Sequence, residues 1–168
     1  DLDLHQDIII DIEKVDQRAH GQSIDNQRTS LTHEVVGYLP YWKYSSYPNL
    51  NYDLLTQLNY FSAELDQYGD VINNHSWNDL DMVEFAQERG VKVKLCATMF
   101  GGDELTGLLS NYDHRQNAIN NLLILVINKG ADGIDIDFEL LPSSQRENLV
   151  LFMEELSEAF HSEMEDPI

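Results

Sequence analysis

Asp132-Gly133-Ile134-Asp135-Ile136-Asp137-Phe138-Glu139 sets three acids two residues apart, interleaved with Ile and Phe. In an extended strand alternate side chains share a face, so Asp135, Asp137 and Glu139 line one side with neighbours about 7 Å apart. Ile134, Ile136 and Phe138 line the other, the side expected to pack beneath helices. Crowded like charges in a poorly solvated place favour holding a proton. A carboxylic acid that keeps its proton near neutral pH can donate it. Glu139 comes last, at the C-terminal end of the strand, where barrel enzymes place their chemistry. Spacing alone leaves two other readings open. One is an exposed edge strand with a solvated acidic face and no function. The other is an oxygen-ligand site for calcium or magnesium, although the glycine and the roughly twelve-residue frame of an EF-hand loop are missing.

The elements that position this strand follow from the pattern of apolar residues. Short apolar runs predict strands at 35–39 (closed by Pro40), 58–65, 91–98 and 133–138. Tyr68-Gly69-Asp70 predicts a turn. A short helical piece is expected at 53–56. A helix over 78–89 is expected to be capped by Asn78 and ended by Gly90. A helix over 114–128 carries Ala118, Ile119, Leu122, Leu123 and Val126 at helical spacing, and Gly130 stops it. Ser144-x-x-Glu147 reads as a capping box opening a last helix, whose apolar face is Leu149, Phe152, Met153, Leu156 and Phe160.

Strands alternating with helices imply right-handed βαβ units and a parallel sheet. Four such units fit between residues 35 and 168. A complete eight-fold (β/α)8 TIM barrel takes about 250 residues, so the expected fold is α/β of TIM-barrel type with only about the first four β/α units. A small open doubly wound sheet is the other arrangement, but its G-x-G-x-x-G signature is absent. Residues 1–34 differ, with eight acids, three Lys+Arg and one short apolar run, Ile8-Ile9-Ile10. They read as an acidic polar leader or linker preceding a 35–168 domain. The chain opens at Asp1 rather than Met, so a processed or partial chain is expected.

Charge and composition exclude several function classes. Ten Lys+Arg against 30 Asp+Glu give a formal net charge of −20 over 168 residues. Neutralising phosphates needs clustered cations, so nucleic acid is not expected as a partner, nor is docking on an anionic membrane. No apolar run approaches the roughly 20 residues of a membrane span. Cys96 is the single cysteine, so no internal disulfide or multi-cysteine metal site can form; it reads as a small buried hydrophobe. The histidines at 5, 20, 33, 75, 114 and 161 form no zinc motif. Neither metal nor cofactor is expected. Tyr38, Tyr41, Trp42, Tyr44 and Tyr47 crowd the segment after the first strand. Such rings offer rigid, half-polar faces on which a ligand ring can stack, or simply pack the loop. Trp42 is the best single candidate for such a contact, and Trp77 reads as a core or staple residue.

The octapeptide Asp132-x-x-Asp135-x-Asp137-x-Glu139 resembles the D-x-x-D-x-D-x-E signature of family 18 glycoside hydrolases, the chitinase-like (β/α)8 barrels. Val36-Gly37-Tyr38-Leu39-Pro40-Tyr41-Trp42 resembles that family's opening G-Y-x-P-x-W segment. Leu58-Asn59-Tyr60-Phe61-Ser62 is similar to its second strand, and Lys92–Leu95 with Gly101-Gly102 to its third strand and the S-x-G-G after it, the expected Ser falling at Met99. The resemblance covers about 35–160. It implies Glu139 as general acid and base, Asp137 as the group orienting the substrate's N-acetyl group, and Asp135 as its inner partner. It implies that the acetamido oxygen attacks the anomeric carbon, a substrate-assisted route in place of a carboxylate nucleophile. Tyr38, Trp42, Tyr60 and Met99 are then the expected substrate-binding residues, and Asp132 a structural one. The implied ligand is an N-acetylglucosamine-containing polysaccharide or oligosaccharide, handled outside the cell or at its surface. A non-catalytic chitinase-like carbohydrate-binding protein is the other reading. Four strands leave two open sheet edges, which invite self-association.

Overall fold

The computed structural model describes residues 31–168; the expected leader lies outside the described residues except for its last four positions. The strands are β1 (Val36–Pro40), β2 (Gln57–Leu65), β3 (Val71–Asn73), β4 (Lys92–Phe100) and β5 (Gly133–Glu139). The helices are α1 (Met82–Gln87), α2 (Gly102–Leu109), α3 (Tyr112–Lys129) and α4 (Arg146–Glu163). β1, β2, β4 and β5 pair in that order, every pair parallel, as the alternating pattern predicts. No helix among the described residues is long and apolar enough to cross a membrane.

The register sorts side chains into rungs. Leu39, Tyr60, Leu95 and Ile134 are aligned neighbours on one face. They join the helices' apolar stripes in a single core with Val93, Ala97 and Met99. Central strands buried on both faces read as near-continuous apolar runs, which is why β2 and β4 were legible. Pro40, Phe61, Cys96 and Asp135 form a rung on the opposite face, with the Thr98–Asp137 and Phe100–Glu139 pairs above it. That face is strongly curled. β1 and β5 are three strand spacings apart, roughly 14 Å along the sheet, yet Tyr38 Oη donates to Asp135 Oδ2 at 2.8 Å.

Local chemistry differs from expectation at five places. The Tyr68–Asp70 turn forms, with Asp66 Oδ1 accepting from the Tyr68 and Asp70 amides, but it leads into the short antiparallel β3. Asn78 sits in a 3-10 turn (Trp77–Asp79) and α1 begins only at Met82. The piece expected at 53–56 is a 3-10 turn over Tyr52–Leu54. α2 was not expected, because Gly101-Gly102 reads as a loop; Leu105, Leu108 and Leu109 nevertheless bury one helical face. Ser144 is no capping residue: it lies in another 3-10 turn, and α4 starts at Arg146 without a side-chain cap. α3 carries the cap instead, Asn111 accepting from the Asp113 amide, and Gly130 ends it at φ 68°. On α4, Phe152, Leu156 and Phe160 are buried as expected, while Met153 faces outward.

Candidate active site

The parity argument for β5 holds in the structure. Ile134 and Ile136 pack against the core, and the Phe138 ring lies against Phe152 of α4 at 5.5 Å between centroids. Asp135, Asp137 and Glu139 stand on the opposite, curled face, rising toward the C-terminal end of the sheet. Asp135 and Asp137 are half-buried, and Glu139 is exposed. Asp135 is anchored by the Tyr38 phenol. Partial burial and the bond to Asp135 push that phenol up from its ordinary value, with the Asn59 amide pulling the other way. Cys96 lies fully buried on the rung of Asp135; burial first, then the Asp135 and Asp137 carboxylates, push its thiol up.

Asp137 opens onto a cavity of about 300 Å³ lined with Tyr38, Pro40, Trp42 and Phe61. Its register partner Thr98 is buried, and the Thr98 and Ser62 hydroxyls sit 3.0 Å apart. The turn that releases β4 into α2 lies beside Glu139, because Phe100 is the register partner of Glu139. Gly101 has φ 134°, in the region that favours glycine, and a Cβ on Gly102 would sit 3.2 Å from Pro142 Cγ. Gly101 therefore makes the turn and Gly102 lets the β5 loop pack against it at the rim.

Two expected substrate-binding residues do not reach this face. Tyr60 is only 1 % exposed and belongs to the helix-facing rung; it stacks at a tilt on Trp77 and donates to the His75 carbonyl. Met99 is 3 % exposed in the same core. The family spacing points to both, but strand parity puts them on the helix-facing side. Parity places Phe61 and Thr98 on the working side instead, with a register shift after Phe61 that turns Ser62 toward Thr98. Asp132 ties strand starts together, accepting from the Val93 amide and the Gln87 side chain. Trp77 is buried and donates to Leu125 O.

This arrangement can hold a ring against Trp42 and Phe61 while presenting an anchored carboxylate, a half-buried carboxylate and an exposed one in line. Among the described residues no group of three His, Cys, Asp or Glu side chains could hold a metal ion.

The sequence profile of the family described as "Glycosyl hydrolases family 18" matches residues 34–167. No curated protein matches the chain. Solved structures similar to it include a chitinase from Bacteroides thetaiotaomicron at 22% identity and TM-score 0.69, covering 80% of this chain and 44% of that one. A GH18 chitinase from Cycas revoluta in complex with (GlcNAc)3 has 27% identity and TM-score 0.65, covering 76% of this chain and 41% of that one. Ostrinia furnacalis Group II chitinase catalytic domain 2 has 25% identity and TM-score 0.66, covering 77% and 40%. The chain thus spans well under half the length of the chitinases it matches.

Proposed function

The chain belongs to glycosyl hydrolases family 18, and from that premise we propose that it supplies the carboxylate half of a glycosidase site acting on β-1,4-linked N-acetylglucosamine polymers. The observation that carries this reading is the stack of Asp135, Asp137 and Glu139 on the curled face, with Asp135 tied to Tyr38. Glu139, at the open end, protonates the glycosidic oxygen as the bond to the anomeric carbon breaks. The acetamido oxygen of the same sugar closes on that carbon, held in line by Asp137. Asp135, anchored by Tyr38, is the inner partner that shares a proton with Asp137, since two like charges on one face disfavour each other. Water then attacks the anomeric carbon, giving its proton to Glu139, and the configuration is retained. Trp42 and Phe61 offer ring faces to the sugar. The polymer chemistry also fits action outside the cell or at its surface.

Half a barrel is not expected to turn over alone, so turnover of a fluorogenic chitobioside by the full-length protein carrying this chain, as wild type and as Glu139→Gln, tests the reading. The amide is close to isosteric, so oligosaccharide binding should persist while the rate falls by about 10²–10⁴-fold. Chelator should leave the wild-type rate unchanged. Full activity in Glu139→Gln, or loss of activity in chelator, would overturn the assignment. Binding of (GlcNAc)3 with no turnover in the wild type would favour the carbohydrate-binding reading instead.

A further inference from the structure

Trp42, the most exposed ring lining the cavity, is 60 % exposed. Its ring contacts are edgewise: Tyr41 at 4.8 Å and Phe61 at 5.9 Å between centroids. Phe61 belongs to the sheet, but Tyr41 begins the irregular 41–49 segment. What fixes Tyr41 is His75. The two rings lie face to face, 3.5 Å between centroids and 4° from parallel. His75 is itself held at three points. Its Nε2 donates to Glu64 Oε1 at 2.7 Å, its amide donates to Asn73 Oδ1, and its carbonyl accepts from Tyr60 Oη. Its backbone is turned into the left-handed region, φ 48°, a conformation that persists for a non-glycine residue only where the surroundings enforce it. Glu64 lies at the C-terminal end of β2, aligned with Thr98 and therefore level with Asp137.

From this geometry we infer that Glu64 and His75 are positioning residues for sugar recognition, a clamp that sets the plane of the Trp42 platform through Tyr41. The inference rests on the proposed sugar site and deepens it. Neither residue lines the cavity; each acts through the next ring. The cavity needs the Trp42 face held relative to Asp137, because stacking a pyranose on one and orienting its acetamido group with the other are a single geometric requirement. Tyr44 and Tyr47 pack the rest of the 41–49 segment against the core, but Tyr41 is exposed at its start and takes its position from His75. Tyr60, absent from the sugar-facing side, finds its place here as the buried hydroxyl that pins the His75 carbonyl.

The test uses this chain and its variants His75→Ala, His75→Phe, Glu64→Ala and Glu64→Gln. Two readouts are measured: acrylamide quenching of the exposed Trp42, taken as the difference from Trp42→Phe, and affinity for (GlcNAc)3. Trp77 is buried and contributes little to quenching. His75→Ala should raise the Trp42 quenching constant without sugar and weaken (GlcNAc)3 by about threefold to tenfold, the scale of one lost aromatic pair. His75→Phe keeps the stacking face and Glu64→Gln keeps an acceptor for Nε2; both should recover most of the loss, whereas Glu64→Ala should not. A general loss of stability would not be rescued in this pattern. Quenching and affinity equal to wild type in both alanine variants would overturn the clamp and leave the sugar site standing. A wild type that does not bind (GlcNAc)3 would overturn the sugar site, and the clamp would then be judged by quenching alone. If His75→Ala does not fold by circular dichroism, the Glu64 pair, altered at a side chain 41% exposed, decides the question.

Discussion

Replacing Tyr38 by Phe removes a single hydroxyl and tests whether the curl of the sheet serves the carboxylates. The lost bond runs from a phenol to Asp135 Oδ2 at 2.8 Å. Hydrogen bonds to charged groups are worth about 1.5–3 kcal/mol when water is excluded. Tyr38 is 56 % exposed, so water can replace it in part, and about 1 kcal/mol is the expected cost. For a chain of this length that lowers the melting temperature by about 2–4 °C. If the bond also holds Asp135 in place for Asp137, the same energy reappears in the transition state. The expected kinetic signature is a fivefold to tenfold fall in kcat with KM unchanged, about 1.4 kcal/mol being tenfold. The phenol must keep its proton to donate. Because its pKa is raised in the folded chain, the bond's contribution is fully present below about pH 10, the free-tyrosine value, and is lost as pH rises through the raised one. Thermal melts by circular dichroism and chitobioside turnover by the full-length protein, each run from neutral to alkaline pH, supply the data. A Tyr38→Phe variant that matches wild type in both melting temperature and kcat would refute the reasoning, since the tie would then hold nothing in place.

Arg115→Ala should destabilise the fold by about 3–5 kcal/mol, measured by urea unfolding, because it strips a nearly buried guanidinium whose Nε and Nη2 donate to both carboxylate oxygens of Glu155 and whose Nη1 caps Leu109 O. Burial pushes the Tyr60 phenol up to about 12; stability should therefore hold below pH 10 and fall between about pH 10 and 12, and Tyr60→Phe should flatten that decline in melts followed across the range. α4 exposes Val150 and Met153 along an open groove with Leu149 and His161. The chain should self-associate in size-exclusion runs, more strongly at high salt where repulsion between acidic surfaces is screened, and Val150→Glu with Met153→Glu should shift it toward monomer; salt- and concentration-independent elution of the wild type as a monomer would count against this.

Much of the fold was legible because parallel strands buried on both faces leave near-continuous apolar runs, as in β2 and β4, while β5 showed itself by strict alternation. The helix starts were harder. Asn78 and Ser144 both carry capping chemistry, but each falls in a 3-10 turn just before its helix, and nothing in the local spacing separates a cap from the turn preceding it. α2 was hidden by Gly101-Gly102, which read as a break; here Gly101 makes the turn and Gly102 permits the approach of Pro142. The site was legible where one strand carried all of it. Where it depended on register between strands it was not: Tyr60 and Met99 are buried on the helix side, one residue away from Phe61 and Thr98, and a one-residue step in a strand crosses the sheet.

That one-residue rule also explains why this chain can keep three carboxylates on an otherwise apolar strand. Ile134, Ile136 and Phe138 anchor β5 to the helices from one side, so the strand's position does not depend on what the other side carries. The acids are then free to be chosen for chemistry, subject to charge crowding, and the inner face answers that cost locally. Tyr38 reaches across the curl to Asp135, while Glu139 stands exposed to water. Asp137, between them, has the cavity in front of it and the buried Thr98 beside it. A neutral glycan gains no long-range attraction from a chain of net charge −20, so its recognition must rest on short-range stacking and hydrogen bonds. This places the weight of binding on how Trp42 is held, and makes the ring stack from His75 to Trp42 as much a part of the site as the carboxylates it faces.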